Sequence, residues 1–256
     1  MVTDLLLEHP RALAEKVAGV LGGRTVNRAG LAGFVSSAGD PFLNHLFATG
    51  SVAPGEAAAA LQGRPGFVWL DDESAAGDVR ESDAAGSVRL VMQGMVADIA
   101  RAAARPAAGA EIAGVRTAAD LDAWHGVYCE VFGAHPRSQA DWRHVHRALG
   151  PSGDGSLLLL LARVEGSPAA TGAVFLHAGV AGLYCFTTRG SLRGRGLATA
   201  LVSAAHAAAQ ARGVERTLLH ATPSGRPVYA RASYRSQRTL PVLRFPAPPV
   251  AERPGV

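Results

Sequence analysis

The sequence predicts a mixed α/β (α+β) fold, a sheet flanked by helices with a smaller α/β region ahead of it. Short apolar runs rich in branched residues alternate with helical patterns through the second half. Three strand patterns, at residues 157–164, 169–178 and 180–188, follow one another before a single helix, which excludes a simple chain of βαβ units. A segment of glycine and arginine, residues 189–196, joins the last of these strands to a long helix.

Taken in order, residues 5–21 predict an amphipathic helix. Leu6, Leu13, Val17 and Val20 lie near helical spacing, and Gly22 and Gly23 end the run. Strands are expected at 33–37, 45–50 and 66–70, with a helix at 54–63 that carries Pro54 near its start. Residues 71–83 are acidic and contain glycine, so a loop or irregular helix is expected, and 87–99 returns to strand content. The small residues ending at Glu111, with Pro106 and Gly109 among them, form the best linker, placing a boundary near Pro106. The expected units are 1–106 and 107–256. Beyond the boundary, 111–116 reads as a strand. Residues 117–132 read as a helix, with Thr117 as N-cap and Asp120 three residues on. A short helix at 141–150 follows, then the three strands. A helix from Leu197 to the stop at Gly213, a strand at 215–222, a short helix at 225–234 and a strand at 236–245 complete the chain.

Composition narrows the function. With 256 residues and 48% hydrophobic content, the chain can bury a substantial core. The formal charge is +4, and Lys16 is the only lysine, so the positive charge is nearly all arginine. Arginine forks suit phosphate oxygens. No run of five basic residues and no basic stripe interleaved with aromatics points to nucleic acid. Cys129 and Cys185 are the two cysteines; they make neither a disulfide framework nor a zinc motif, so no metal and a reducing cytoplasm are expected. The start of the chain lacks the basic and apolar regions of a signal peptide, and the apolar run from Leu157 is too short to span a bilayer.

The most informative segment is Arg193, Gly194, Arg195, Gly196, Leu197 and Ala198, between a strand ending near Thr188 and a helix of about four turns. A helix N-terminus exposes unpaired N–H groups and the positive end of the dipole. Glycines at 194 and 196 keep side chains away from those groups, and the arginines reach phosphate oxygens, which together make a pyrophosphate seat. The other reading is a surface turn. No lysine follows as in a P-loop, and Ala198, Thr199 and Ala200 break the dinucleotide-binding fingerprint.

This segment resembles motif A of the GNAT acetyltransferases, (Arg/Gln)-x-x-Gly-x-(Gly/Ala), which Arg193, Gly196 and Ala198 fit position by position. Residues 225–234 are similar to the family's motif B, with Tyr229 near the start of a short helix and Ser233–Tyr234 in place of Gly-Phe. The resemblance covers roughly residues 111–246. It implies a mostly antiparallel central sheet flanked by helices. It also implies backbone amides from Gly194 to Thr199 on the coenzyme A pyrophosphate, and a pantetheine arm paired with the backbone of Phe186, Thr187 and Thr188 in a gap between two splayed strands. The first half loosely resembles a degenerate domain of the same kind, which would shape the acceptor pocket or mediate dimer contact.

The implied reaction passes an acyl group, acetyl or another, from acyl-CoA to a small-molecule amine by direct transfer, with Tyr229 as proton donor to the leaving sulfur. Tyr229 can instead be a packing tyrosine. The strand at 180–188 lacks the acid many relatives use as base, which leaves His177 and His220 as candidates. Cys185 is expected to turn into the core. Asp141, His144 and His146 lie on a helix that relatives use to line the acceptor pocket and are expected at the surface. The variants that remain open are an acyl carrier protein as donor and a non-catalytic acyl-CoA-binding module. No nucleic acid or membrane partner is expected, and the chain is expected to be a monomer or homodimer.

Overall fold

The computed structural model describes residues 2–28, 30–50, 52–71, 87–102, 109–133 and 138–246. Helix α1 (Val2–Val20) opens the chain and contains Pro10. Strand β1 (Arg24–Arg28) follows where the sequence reading has none. Its single buried residue is Val26, and it exists through its pairing with β2 (Leu31–Val35) rather than through its own composition. Next come β3 (His45–Ala48), α2 (Pro54–Leu61) and β4 (Gly66–Trp69), with Pro54 in the first turn of α2, where its missing N–H costs nothing.

After β5 (Val88–Asp98) and β6 (Ala110–Gly114) comes α3 (Ala118–Phe132). Thr117 caps α3: its hydroxyl accepts from the Asp120 N–H at 3.0 Å, and the Asp120 carboxylate returns to the Thr117 N–H at 3.2 Å. The remaining elements are α4 (Gln139–Leu149), β7 (Leu157–Val164), β8 (Ser167–His177), β9 (Val180–Thr188), α5 (Leu197–Gln210), β10 (Arg216–Ala221), α6 (Arg226–Arg231) and β11 (Arg235–Phe245).

Eleven strands form one sheet in the order β1-β2-β3-β4-β11-β5-β10-β9-β8-β7-β6. Among the described residues only β3 with β4 and β10 with β9 run parallel, so the sheet is mostly antiparallel, as expected. Strand alternation sorts the side chains between two layers of helices. Leu157, Leu159 and Leu161 pack with Trp124, Tyr128 and Trp142 of α3 and α4, while Leu158 and Leu160 pack with Leu201 and Ala205 of α5. No helix among the described residues is long and apolar enough to cross a membrane.

The boundary expected near Pro106 and the acidic stretch 72–83 lie outside the described residues. On either side of that boundary the strands interleave. Strand β5 precedes it in sequence, yet its neighbours are β10 and β11 from the end of the chain, with Leu219 opposite Met95 and Val242 opposite Leu90. The core is shared in the same way. Met95, Ala97 and Ile99 pack with Leu219 and Tyr234, and Val17, Ala38 and Leu43 pack with Trp124 and Tyr128. A buried carboxylate ties the two parts together. Asp40 accepts from Tyr128 Oη–H at 2.9 and 3.0 Å, from Trp142 Nε1–H at 2.9 Å and from the Phe42 N–H at 2.9 Å. Burial raises its pKa against the pull of those donors.

A fragment of residues 107–256 would lack β5, leaving β10 and β11 without their common neighbour and the apolar faces of Leu219 and Leu240 uncovered. Each such face is worth roughly 1.5–3 kcal/mol when buried. We expect this fragment to give no cooperative thermal transition by circular dichroism, whereas the full chain gives one. A fragment that melts cooperatively as a monomer would show β5 to be dispensable.

Candidate active site

The site forms where β9 and β10 separate. They pair in parallel from Val180 opposite Arg216 to Leu183 opposite Leu219, and no further. Beyond that register β9 runs on to Thr188 and β10 to Ala221 with a gap between them. The other edge of β9 is bulged: Thr171 faces Thr187 and Ala173 faces Tyr184, so Cys185 and Phe186 share one position on β8. Cys185 sits at φ 55°, and its carbonyl accepts from Thr171 Oγ1–H at 3.1 Å. A non-glycine residue there carries strain of about 1–2 kcal/mol, held by the surrounding sheet, and the bulge turns the backbone of 185–188 toward the gap.

The chain then reaches the arginine–glycine turn. Gly194 and Gly196 lie at φ 78° and 82°, and Gly196 caps α5 without a side-chain partner. A Cβ on either glycine would meet nothing within 4 Å. Backbone conformation therefore selects glycine here, and open space lies over the turn. Among the described residues the N–H groups from Gly194 to Thr199 find no acceptor; the first helical bond is that of Ala200 to the Gly196 carbonyl, 3.0 Å. Arg193 donates from Nε to the Thr188 carbonyl at 3.3 Å, which fixes its stem beside the strand end.

A cavity of about 800 Å³ connects this turn to the gap and to a far wall. Phe186, Thr187, Thr188, Arg193, Gly194, Gly196, Leu197, Ala198, Thr199, His220 and Tyr229 all line it. Arg195 is exposed on the same turn but is not part of the lining. His177 does not join the site. Strand β8 runs antiparallel to β9, so His177 pairs with Val180 at the opposite end of β9, exposed and stacked on Phe175 at 6.0 Å. Asp141, His144 and His146 of α4 also lie outside the lining. Cys185 is buried, and burial drives its thiol well above the usual range, which makes it a poor nucleophile.

Tyr229 stands on α6, its ring 5.9 Å from that of Tyr234, and burial pushes its phenol up to about 12. His220 ends β10 with its ring 4.6 Å from Trp69. Its Nε2 lies 2.7 Å from the Leu6 carbonyl, which can only accept, so Nε2 carries the proton and Nδ1 holds a lone pair. That carbonyl is free for a local reason. Its helical partner would be the N–H of residue 10, and Pro10 has none. The Nδ1 atom is buried without a partner in the fold. Burial lowers the His220 pKa to about 4, outweighing the Leu6 bond.

The far wall is absent from the sequence-based list of site residues. Phe42, Phe67, Trp69, Leu90, Met92, Val242 and Arg244 supply it, and all but Val242 and Arg244 precede Pro106. His45 locks part of it: Trp69 Nε1–H donates to His45 Nδ1 at 2.9 Å, and His45 Nε2–H donates to the Phe42 carbonyl at 2.9 Å. The legible signal was strand alternation, which puts Phe67 and Trp69 on one face. Nothing local says that this face meets His220. Among the described residues no group of three or more His, Cys, Asp or Glu is placed to hold a metal ion.

Residues 120–234 match the family model described as Acetyltransferase (GNAT) family. No curated protein matches the chain. Solved structures share the fold across both halves. A GCN5-related N-acetyltransferase from Kribbella flavida is 20% identical with TM-score 0.57, covering 94% of this chain and 96% of that one. A GCN5-related N-acetyltransferase from Sphaerobacter thermophilus is 17% identical with TM-score 0.56, covering 91% of this chain and 77% of its own. A GCN5-related N-acetyltransferase-like protein from Streptococcus suis is 11% identical with TM-score 0.56, covering 93% of this chain and 99% of its own.

His9, His45, His206 and His220 are all held near 4 by burial, against an ordinary value of 6.5. Between those values the unfolded chain binds protons that the folded chain does not, so stability is lost as the pH falls through this window. Each group contributes up to roughly 3 kcal/mol once fully titrated. The melting temperature is expected to drop steeply from pH 6.5 toward pH 4.5, with proton uptake on unfolding. A flat profile by calorimetry would contradict the burial of these imidazoles as neutral groups.

Proposed function

From the acetyltransferase (GNAT) domain that residues 120–234 form, we propose that this chain transfers an acetyl group from acetyl-CoA directly to the amine of a small molecule within a ternary complex. The observation that carries this reading is the row of unpaired N–H groups from Gly194 to Thr199 at the mouth of a cavity that runs into the gap between β9 and β10.

Those N–H groups and the helix dipole bind the pyrophosphate of the donor, with Arg193 beside them and Arg195 adding positive charge from the same turn. The backbone of Phe186, Thr187 and Thr188, unpaired on its β10 side, holds the pantetheine arm as an added strand. An N–H of this bulged segment polarises the thioester carbonyl. His220, the one of the two candidate histidines that lines the cavity, stays neutral, and its buried Nδ1 can take the proton of the attacking amine only when the ring or its neighbours shift to open it. As the tetrahedral intermediate collapses, Tyr229 gives its phenolic proton to the departing sulfur. Residues ahead of Pro106 shape the acceptor side of the cavity.

The pKa directions make this division of labour usable at neutral pH. His220, lowered to about 4, keeps its lone pair, and Tyr229, raised to about 12, keeps its proton. Neither group ionises in the physiological range, so the acceptor amine controls the pH profile. The rate at subsaturating acceptor should rise with pH until the amine is neutral and then level off, with no inflection near 6.5. An inflection near 6.5 that persists with acceptors of different basicity would assign control to an enzyme imidazole instead.

Isothermal titration should show acetyl-CoA binding. Gly196→Ala, which adds a methyl at φ 82° inside the phosphate seat, should weaken it about tenfold. Tyr229→Phe should bind acetyl-CoA with unchanged affinity and lose about 100-fold in kcat. A wild-type chain that binds no acetyl-CoA would end this reading.

A further inference from the structure

The far wall of the cavity carries one charge in an otherwise apolar setting. Arg244 lies on β11 between Phe67 of β4 and Val88 of β5, and it lines the cavity on the sheet face that also carries Leu90 and Val242. The residue is half-buried, and its Nε is fully buried with no hydrogen-bond partner. Seven ion pairs link other basic residues to carboxylates, but none includes Arg244 among the described residues. Among the described residues the wall around it supplies only Phe67, Trp69, Leu90, Met92 and Val242, so the part of the guanidinium that faces the cavity meets no fixed anion there. Among the described residues no Asp or Glu lines the cavity.

We infer that Arg244 binds the carboxylate of the acceptor, and that the acceptor is an amino acid with an aromatic or bulky apolar side chain. The inference rests on the acetyl-transfer reading and assigns its acceptor. The guanidinium fork matches a carboxylate in two parallel hydrogen bonds, which its two terminal nitrogens can supply while the buried Nε stays behind them. The rings of Phe42, Phe67 and Trp69 take the apolar body. Arg193, Arg231 and Arg244, in a lining that has no carboxylate among the described residues, disfavour polyamines and other multiply charged cations and leave the single amine of an amino acid as the group presented to the thioester.

The test compares matched acceptors that differ by one group. With acetyl-CoA as donor, L-phenylalanine, L-tryptophan and L-leucine are each assayed beside the decarboxylated amine: phenethylamine, tryptamine and isopentylamine. Wild type should favour at least one amino acid over its amine by about 10- to 100-fold in kcat/KM. Arg244→Gln should erase that preference by lowering kcat/KM on the amino acid far more than on the matching amine, and Arg244→Lys should retain part of it. Wild-type comparisons need no variant, so the test survives a variant that folds poorly. The inference is overturned if amines are used as well as amino acids, or if Arg244→Gln lowers both alike. It is also overturned if no pair is acetylated while acetyl-CoA still binds, or if longer acyl-CoA donors are preferred with no carboxylate effect. These outcomes leave the donor reading standing, whereas failure to bind acetyl-CoA removes that reading itself.

Discussion

Strands β9 and β10 hold each other only over residues 180–183 and 216–219, and that short parallel contact is the constraint on which the site depends. A longer ladder would close the gap; a shorter one would leave the sheet in two pieces. The bulge at Cys185 and Phe186 lies on the opposite edge of β9 and changes the course of its last residues. The turn that follows must then bring α5 back over β8 and β9, which it does through two left-handed glycines. One departure from regular pairing therefore produces both the slot and the row of free amides at its mouth.

The half of the chain before Pro106 is a structural participant. Strand β5 fills the place between β10 and β11, so the sheet on the far side of the gap is built around an early segment. Asp40 reaches across to Tyr128 and Trp142 and fixes the backbone of Phe42, whose ring lies 5.0 Å from Phe132 at the cavity wall. His45 then joins Phe42 to Trp69. Together these contacts make the aromatic wall a preorganised surface, in which the ring nitrogens of His45 and Trp69 are already paired.

What the sequence revealed was local. The turn at 193–199 could be read because its chemistry lies in consecutive residues: glycines at positive φ, arginines beside them and a helix that begins at once. Thr117 and Asp120 were legible as a cap for the same reason. Strand β1 was not, since RTVNR has no apolar alternation and becomes a strand only by pairing with β2. His177 and His220 looked equivalent as histidines at strand ends. The direction of β8 relative to β9 separates them, and direction is a property of the sheet. Trp69 and Arg244 stayed hidden because the neighbours of β4 and β11 are decided across more than a hundred residues of chain.

The proline inside α1 gives this fold an uncommon kind of economy. A residue usually counted as a flaw in a helix leaves one carbonyl, that of Leu6, without its customary donor, and that vacancy is what secures the His220 ring in a single tautomer. An engineer who replaced Pro10 with alanine to firm up the helix would offer Leu6 a rival donor. The helix would gain rigidity while the imidazole lost its exclusive anchor, so the order of one strand end is tied to a position nearly the whole length of the chain away from the histidine it holds.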